Sequence, residues 1–544
     1  LSSSSAASDV YKRQMLCCPL HSDAKKKSKK TVVPQMQNYP SATIGEYRMH
    51  GGDVLMRVKV LMPEELKKAS EEEQKIALKQ LAQMLNTGAI TAYLRNYLIN
   101  RETVHAMNFN DDCTIEKKFN VPYPMFVYVK PFDNVYMSPG DTVDIIINIE
   151  AKSKEEGIII DGTGLSGEVN RTMKDINSKY LTRENYASYS INKADQIDSL
   201  MMWKNSQVER LDSMVMKMNA GLPELADCSP LASDIIRTSI LTWYAMILLD
   251  SYDNYLQDDY DRDAYWRNYF DFLAPREKYL LDNPLLMISA DHFYFNRMEF
   301  APFLPIQPKV MSSYPHQYDK EKDFLYGDSL YTMRKSLADG IKKISDNLNI
   351  SSANLTLQIC LMNWVFYAMD KKLFYDDDYE SYAELLANIL PYITNPDLAR
   401  ITTLSYRDFV KEHEAQAVEE KPLTKADSIF QRIIEPYKGN VIIVDFWSMT
   451  CGPCRAGMLN DREKVEDLKD KPVKFLYVTY DTPEKCNPWL DENNIKGEHI
   501  FINNAEWGQM QEKFNFSGIP FHLLVDKTGK VRTDVESFTD LLNE

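Results

Sequence analysis

Cys451 and Cys454 stand two residues apart in "DFWSMTCGPCR", residues 445–455, directly after the apolar run "NVIIVDFW". Two thiols at this spacing suit dithiol chemistry. Cys451 follows a strand-like run and precedes helical sequence, so its sulfur is expected at a helix N-terminus, where unpaired backbone N–H groups and the dipole favour a thiolate. Cys454 falls one turn further on, within reach of a mixed disulfide on Cys451, which makes it the resolving thiol. Pro453 suits the first helical turn, and Gly452 leaves room for a partner's backbone. Asp445, six residues before Cys451, lies inside the apolar strand, where burial is expected to raise its pKa. Such a carboxylate can take the proton from Cys454 as a general base; the plainer alternative is a strand-end Asp held by hydrogen bonds.

Other patterns carry weaker chemistry. A zinc site needs further Cys or His ligands at matching spacing, and the sequence offers neither a second C-x-x-C nor an H-x-x-x-H, so no metal is expected. The peroxide-reducing pattern Pro-x-x-x-Thr/Ser-x-x-Cys finds its hydroxyl in Ser448 but has Val444 in place of proline. "GTGLSG", Gly162 to Gly167, matches G-x-G-x-x-G, yet the sequence after it stays helical and polar, so a turn feeding a helix is preferred over dinucleotide binding. "DDYDRDA", residues 258–264, has calcium-loop spacing but Ala264 where glycine is required and Phe270 where the bidentate Glu belongs. The eight histidines are scattered and read as structural or exposed. Cys113, Cys228, Cys360 and Cys486 are isolated and read as small buried apolar residues; of these, Cys486 is the candidate for regulation.

The surrounding chain must position the cysteine pair. Its 544 residues allow roughly three domains, and 44% hydrophobic with 26% charged residues fits folded protein. A net charge of −16 opposes nucleic acid as a partner. The most apolar stretch, "SILTWYAMILL" from Ser239, falls short of the ~18 to 20 residues that span a bilayer. Residues 1–39 read as a tail: "LSSSSAASDVYKRQ" resembles translated adapter sequence, the lysines from Lys25 to Lys30 read as a solvated tether, and Cys17 or Cys18 could carry a lipid anchor or be incidental thiols. Residues 40–165 are strand-rich, with "MSPGDTVD" as a turn joining neighbouring strands and "PEELKKASEEEQKIALKQLAQML" as one helix. Residues 166–420 take a helical period, with a buried stripe of Ile235, Ile236, Ile240, Leu241, Tyr244, Ile247 and Leu248. The charged segment 411–425 reads as a linker. Residues 421–544 alternate strand and helix as a compact α/β domain. The fold class expected is therefore multidomain α+β and α/β.

"VDFWSMTCGPCR" and "SGIPFHLLVDKTGK", the two anchors about 70 residues apart, together resemble the thioredoxin family, and in detail the envelope disulfide reductases of the TlpA and ResA type. "PGDTV" and the span Gly164 to Asn170 resemble the large Bacteroidetes members of that group. The resemblance implies a C-terminal thioredoxin-like fold, a cis Ile519–Pro520 bond facing the cysteines, and substrate binding by Ile519, Pro520, Trp447, Gly452 and Pro453. It also implies protein disulfides as substrates, a membrane thiol carrier as electron donor, antioxidant capacity, no cofactor beyond the redox-active cysteines, and a periplasmic or envelope-anchored location in a Gram-negative bacterium. Thr450, Gly457, Leu459 and Phe521 depart from the group's usual residues and bear on substrate preference and redox poise. The helical region is the expected filter on which disulfides reach the dithiol. The rival reading is an envelope binding or assembly protein whose thioredoxin-like domain is a non-catalytic module.

Overall fold

The computed structural model describes residues 33–41, 49–85, 90–99, 101–182, 197–250, 267–289, 292–299, 341–342, 344–370, 383, 386–387, 389–415 and 424–533. Cys17, Cys18, the lysine tether, residues 258–264 and most of the expected linker lie outside them.

The strand-rich part holds two four-stranded sheets. The first has the order β4 (Thr114–Val121), β1 (Gly52–Val60), β7 (Thr142–Ile147), β8 (Ile158–Gly162), with β1 and β7 parallel. The second has the order β3 (Arg101–Met107), β2 (Ile90–Asn96), β5 (Met125–Lys130), β6 (Asp133–Met137), all antiparallel. Alternation along the strands sends Val54, Met56, Val58 and Val60 of β1 and Met125, Val127 and Val129 of β5 into one continuous apolar core. The turn at Pro139–Gly140 does not join neighbours as expected. It carries the chain from β6 in one sheet to β7 in the other, with Gly140 at φ +89°. The expected single helix is also broken: α1 runs from Glu71 to Leu85, capped where Ser70 and Glu73 exchange hydrogen bonds, after a separate turn at Leu66–Lys68.

"GTGLSG" opens α2 (Gly164–Lys179), and its glycines have a packing reason. The Asp141 carboxylate accepts from Ser166 N at 2.9 Å, the position a phosphate would take at a helix N-terminus. Gly164 sits at φ +51°, and a Cβ there would meet Asp141 Oδ1 at 2.2 Å. Asn170, at the far end of the Gly164 to Asn170 span, clamps α2 to β6 by accepting from Tyr136 N and donating to Tyr136 O, at 2.8 and 2.9 Å.

Among the described residues the middle of the chain is helical: α3 (Ile197–Ala220), α4 (Pro230–Asp250), α5 (His292–Glu299), α6 (Leu355–Asp370) and α7 (Pro396–Ala415). By length and composition α4 could cross a membrane, since Pro230–Leu249 spans 20 residues at mean hydropathy 1.2. This corrects the reading from Ser239 alone. However, 83% of the stretch is buried inside the protein, so α4 serves as the central core helix. It packs against α2, α3 and α5. Residues 411–415, expected in the linker, continue α7.

From Thr424 the chain forms α8 (Lys425–Ile434), β9 (Val441–Trp447), α9 (Gly452–Asp467), β10 (Val473–Thr479), α10 (Pro483–Glu492), β11 (Glu498–Phe501), α11 (Asn504–Phe514), β12 (Phe521–Val525) and β13 (Val531–Arg532). The strand order is β11-β10-β9-β12-β13, with β11, β10 and β9 parallel and β12 antiparallel to β9. This is the thioredoxin-like arrangement expected of the segment. Thr424 and Asp427 form a capping box at α8, a device that contributes about 1 kcal/mol. An ion pair from Lys513 then ties Asp427 to α11, and together these partners hold the Asp427 carboxyl down at about 2.

This domain rests on the strand-rich part through α11. β3 is an edge strand, and its outward backbone groups are covered by α11 side chains rather than left open for pairing. Val104 N donates to Asn515 Oδ1 at 3.1 Å, Asn515 Nδ2 donates to Glu102 O at 2.6 Å, and Ala106 N donates to Glu512 Oε2 at 3.3 Å. Asn515 caps α11 at φ +51°. Asn515→Gly removes the two hydrogen bonds but keeps a residue at ease in this conformation, whereas Asn515→Ala adds about 1 kcal/mol of backbone strain. Chemical denaturation is expected to rank stability parent, then Gly, then Ala; equal Gly and Ala midpoints would contradict this account.

Candidate active site

β9 places the cysteine pair by alternation. Ile442, Val444 and Phe446 enter one core, where Phe446 meets Trp507, Phe514, Phe516 and Phe521. Ile443 and Trp447 face the other way, into the core shared with Cys454, Met458 and Val465 of α9 and Cys486 and Leu490 of α10. Asp445 lies between them on this second face.

After Trp447 the chain turns through Ser448–Thr450. Asp481 pins the turn by accepting from Met449 N at 2.7 Å, and Lys485 pairs with the same carboxylate. The Ser448 and Thr450 hydroxyls bond each other at 2.9 Å. Cys451 is the N-cap of α9, and its sulfur accepts from Cys454 N at 3.1 Å. It is joined to Cys454 in a disulfide, with Cα atoms 5.3 Å apart. Cys451 is partly exposed, while Cys454 is 2% exposed, so a group arriving from solvent meets the Cys451 sulfur first.

The expected site residues divide into two sets. Gly452 and Pro453 are exposed beside Cys451, and a Cβ on Gly452 would meet nothing within 4 Å. Ile519–Pro520 is cis, Pro520 is exposed, and the Ile519 carbonyl oxygen lies 3.7 Å from Cys451 Sγ. Trp447, expected to contact substrate, is instead 0% exposed: its ring is packed against Trp489 at 6.0 Å, with Arg455 over Trp489, so it supports the pair from below. Phe521 turns away from the pair and stacks on Phe516 at 4.4 Å. Cys486 is fully buried and its thiol is pushed up to about 11, mainly by burial, which opposes the expectation of a regulatory thiol.

Sequence reasoning missed His522. It lies directly opposite Asp445 in the β9–β12 register, 8% exposed, with Nε2 at 3.3 Å from Asp445 Oδ1. A usable signal was the lone polar residue in "FHLLV", two positions after Pro520. Burial drives the Asp445 carboxyl above the usual range; the nearby His522 opposes this, and Asp461 of α9 adds to it. Its folded pKa thus exceeds the unfolded value near 3.9. The stability Asp445 contributes is complete below that value and is lost as pH rises through the folded pKa. Asp445→Asn is therefore expected to melt at a higher temperature than the parent at pH 8, with the gap closing towards pH 4. A gap that widens on acidification would reverse this assignment.

Residues 414–541 match the AhpC/TSA family. Among solved structures, the thioredoxin domain of a thiol-disulfide oxidoreductase from Bacteroides vulgatus is 24% identical, covering 20% of this chain and 79% of its own, with a TM-score of 0.19. A thiol:disulfide interchange protein from Bacteroides sp. is 25% identical over 20% of this chain and 73% of its own, with a TM-score of 0.18. StoA from Bacillus subtilis is 17% identical over 20% and 84%, with a TM-score of 0.17. No curated protein matches the chain. The part of the chain that matches the AhpC/TSA family is thus the part whose thioredoxin-like sheet presents the Cys451–Cys454 pair.

Proposed function

We propose that this protein is a thiol-disulfide oxidoreductase that reduces protein disulfides in the bacterial cell envelope, in the manner of the TlpA and ResA type. One observation carries the reading: a partly exposed sulfur at a helix N-cap, bonded to a buried partner one turn on and flanked by the Ile519 carbonyl. In the reduced protein, Cys451 thiolate attacks a substrate disulfide, forming a mixed disulfide and releasing the first substrate thiolate. Cys454 passes its proton to Asp445 and attacks Cys451 sulfur, which releases the second thiolate and closes the Cys451–Cys454 disulfide. The substrate gains two electrons, and its two thiolates take protons from water, to which Cys451 and then Asp445 give up theirs. A membrane thiol carrier then re-reduces the pair, and no cofactor or metal takes part.

Gly452, Pro453, Ile519 and Pro520 form the docking surface, where the Ile519 backbone pairs with an extended substrate segment. The Ser448 hydroxyl bonds Thr450 rather than a cysteine, which favours dithiol exchange over peroxide reduction. Among the described residues, the contact of α11 and its cap with β3 makes the strand-rich part an influence on substrate choice.

In reduction of insulin by dithiothreitol, Cys451→Ser is expected to fall to the rate of dithiothreitol alone. Cys454→Ala is expected to accumulate mixed disulfides with client proteins. If Cys451→Ser turns over like the parent, the domain is instead a binding module and the rival reading stands.

A further inference from the structure

Asp445 is flanked on both sides within the sheet. The parallel register sets Tyr477 of β10 against it, and the antiparallel register sets His522 of β12 against it. Cross-strand partners project from the same face. Tyr477, Asp445 and His522 therefore form a polar row across the middle of the sheet, each less than one-tenth exposed. α9 covers this face with Cys454, Met458, Asp461 and Val465, and α10 adds Cys486. Beyond His522, β13 pairs with β12 at Arg532, opposite Leu524.

The charges on this row are unequal. Burial, with Asp445 and Asp461 nearby, drives the Tyr477 phenol upward, so it stays neutral and offers no countercharge. Asp461 is a like charge. His522, whose imidazole can carry a positive charge, lies at ion-pair distance from Asp445. A buried carboxylate cannot accept a proton unless it is first ionised, and an adjacent cation favours that form.

Resting on the oxidoreductase reading above, we propose that His522 is a positioning residue for the resolving step: through its charge, it keeps Asp445 in the proton-accepting form while Cys454 attacks the mixed disulfide. The balance is that of the proposed reaction. The Cys454 proton goes to Asp445, the sulfur–sulfur bond to substrate breaks as the Cys451–Cys454 bond forms, and the departing thiolate takes a proton from water. His522 acts through Asp445, its cross-strand partner at 3.3 Å.

The test uses the full chain with Cys17→Ser and Cys18→Ser. The protein is reduced and mixed with an aromatic disulfide that frees one coloured thiolate when Cys451 attacks and a second when Cys454 resolves. In His522→Gln the first release is expected to keep the parental rate. The second is expected to slow about tenfold at pH 7 and to recover when pH is raised by about one unit, because removal of the positive charge raises the Asp445 pKa. A second release with the parental rate and pH profile would overturn the proposal. If His522→Gln does not fold, aspartate and histidine carbon resonances of the reduced parent decide it: one shared transition for Asp445 and His522 supports the pair, and independent transitions refute it. Loss of Cys451 dependence in the first release would remove the oxidoreductase reading itself. Its retention beside an unaltered second release would remove only the role of His522.

Discussion

Two-sided burial of β9 is the constraint on which the site depends. A strand in the centre of a mixed sheet covered on both faces must satisfy two cores at once, so each residue's face is decided by parity. Val444 and Phe446 belong to the aromatic side with Trp507, Phe516 and Phe521, while Ile443 and Trp447 belong to the side under α9. Fixing those two sets leaves no freedom in where β9 ends or how α9 begins. Cys451 is delivered to the first turn of the helix, and Cys454 is driven beneath it against Trp447 and Met458. The same parity places Asp445 on the face that Cys454 covers.

The cysteine pair was legible because its chemistry is local: strand, cap and first turn all lie within 445–455, and short-range rules govern each. The mixed fold class was legible for a similar reason, since periodicity changes from two to helical and then alternates. His522 was not. Its partner lies 77 positions earlier in the chain, and only the register of β12 against β9 brings the two together. Trp447 was misread as a contact residue although parity already placed it with Asp445, two residues before; an exposed aromatic and a buried one look alike in sequence until their face is counted.

The "GTGLSG" segment shows the converse. Glycine spacing alone could not distinguish a phosphate cradle from a tight crossing. The deciding group, Asp141, comes from the turn that links the two N-terminal sheets, and its carboxylate fills the helix mouth itself. The glycines serve close approach: Gly164 has no room for a side chain beside that carboxylate, and a Cβ on Gly167 would meet the Gly162 carbonyl oxygen at 2.3 Å.

Asn515 is held by the edge of β3, and the chain leaves it directly for Ile519. Four peptide units span at most about 14 Å when fully drawn out. The lip of the dithiol cleft is thus leashed to a sheet built from residues some four hundred positions earlier, with little slack between them. The edge of that sheet and the lip of the cleft are joined by hydrogen bonds and a four-residue reach of chain, although they come from opposite ends of the described sequence.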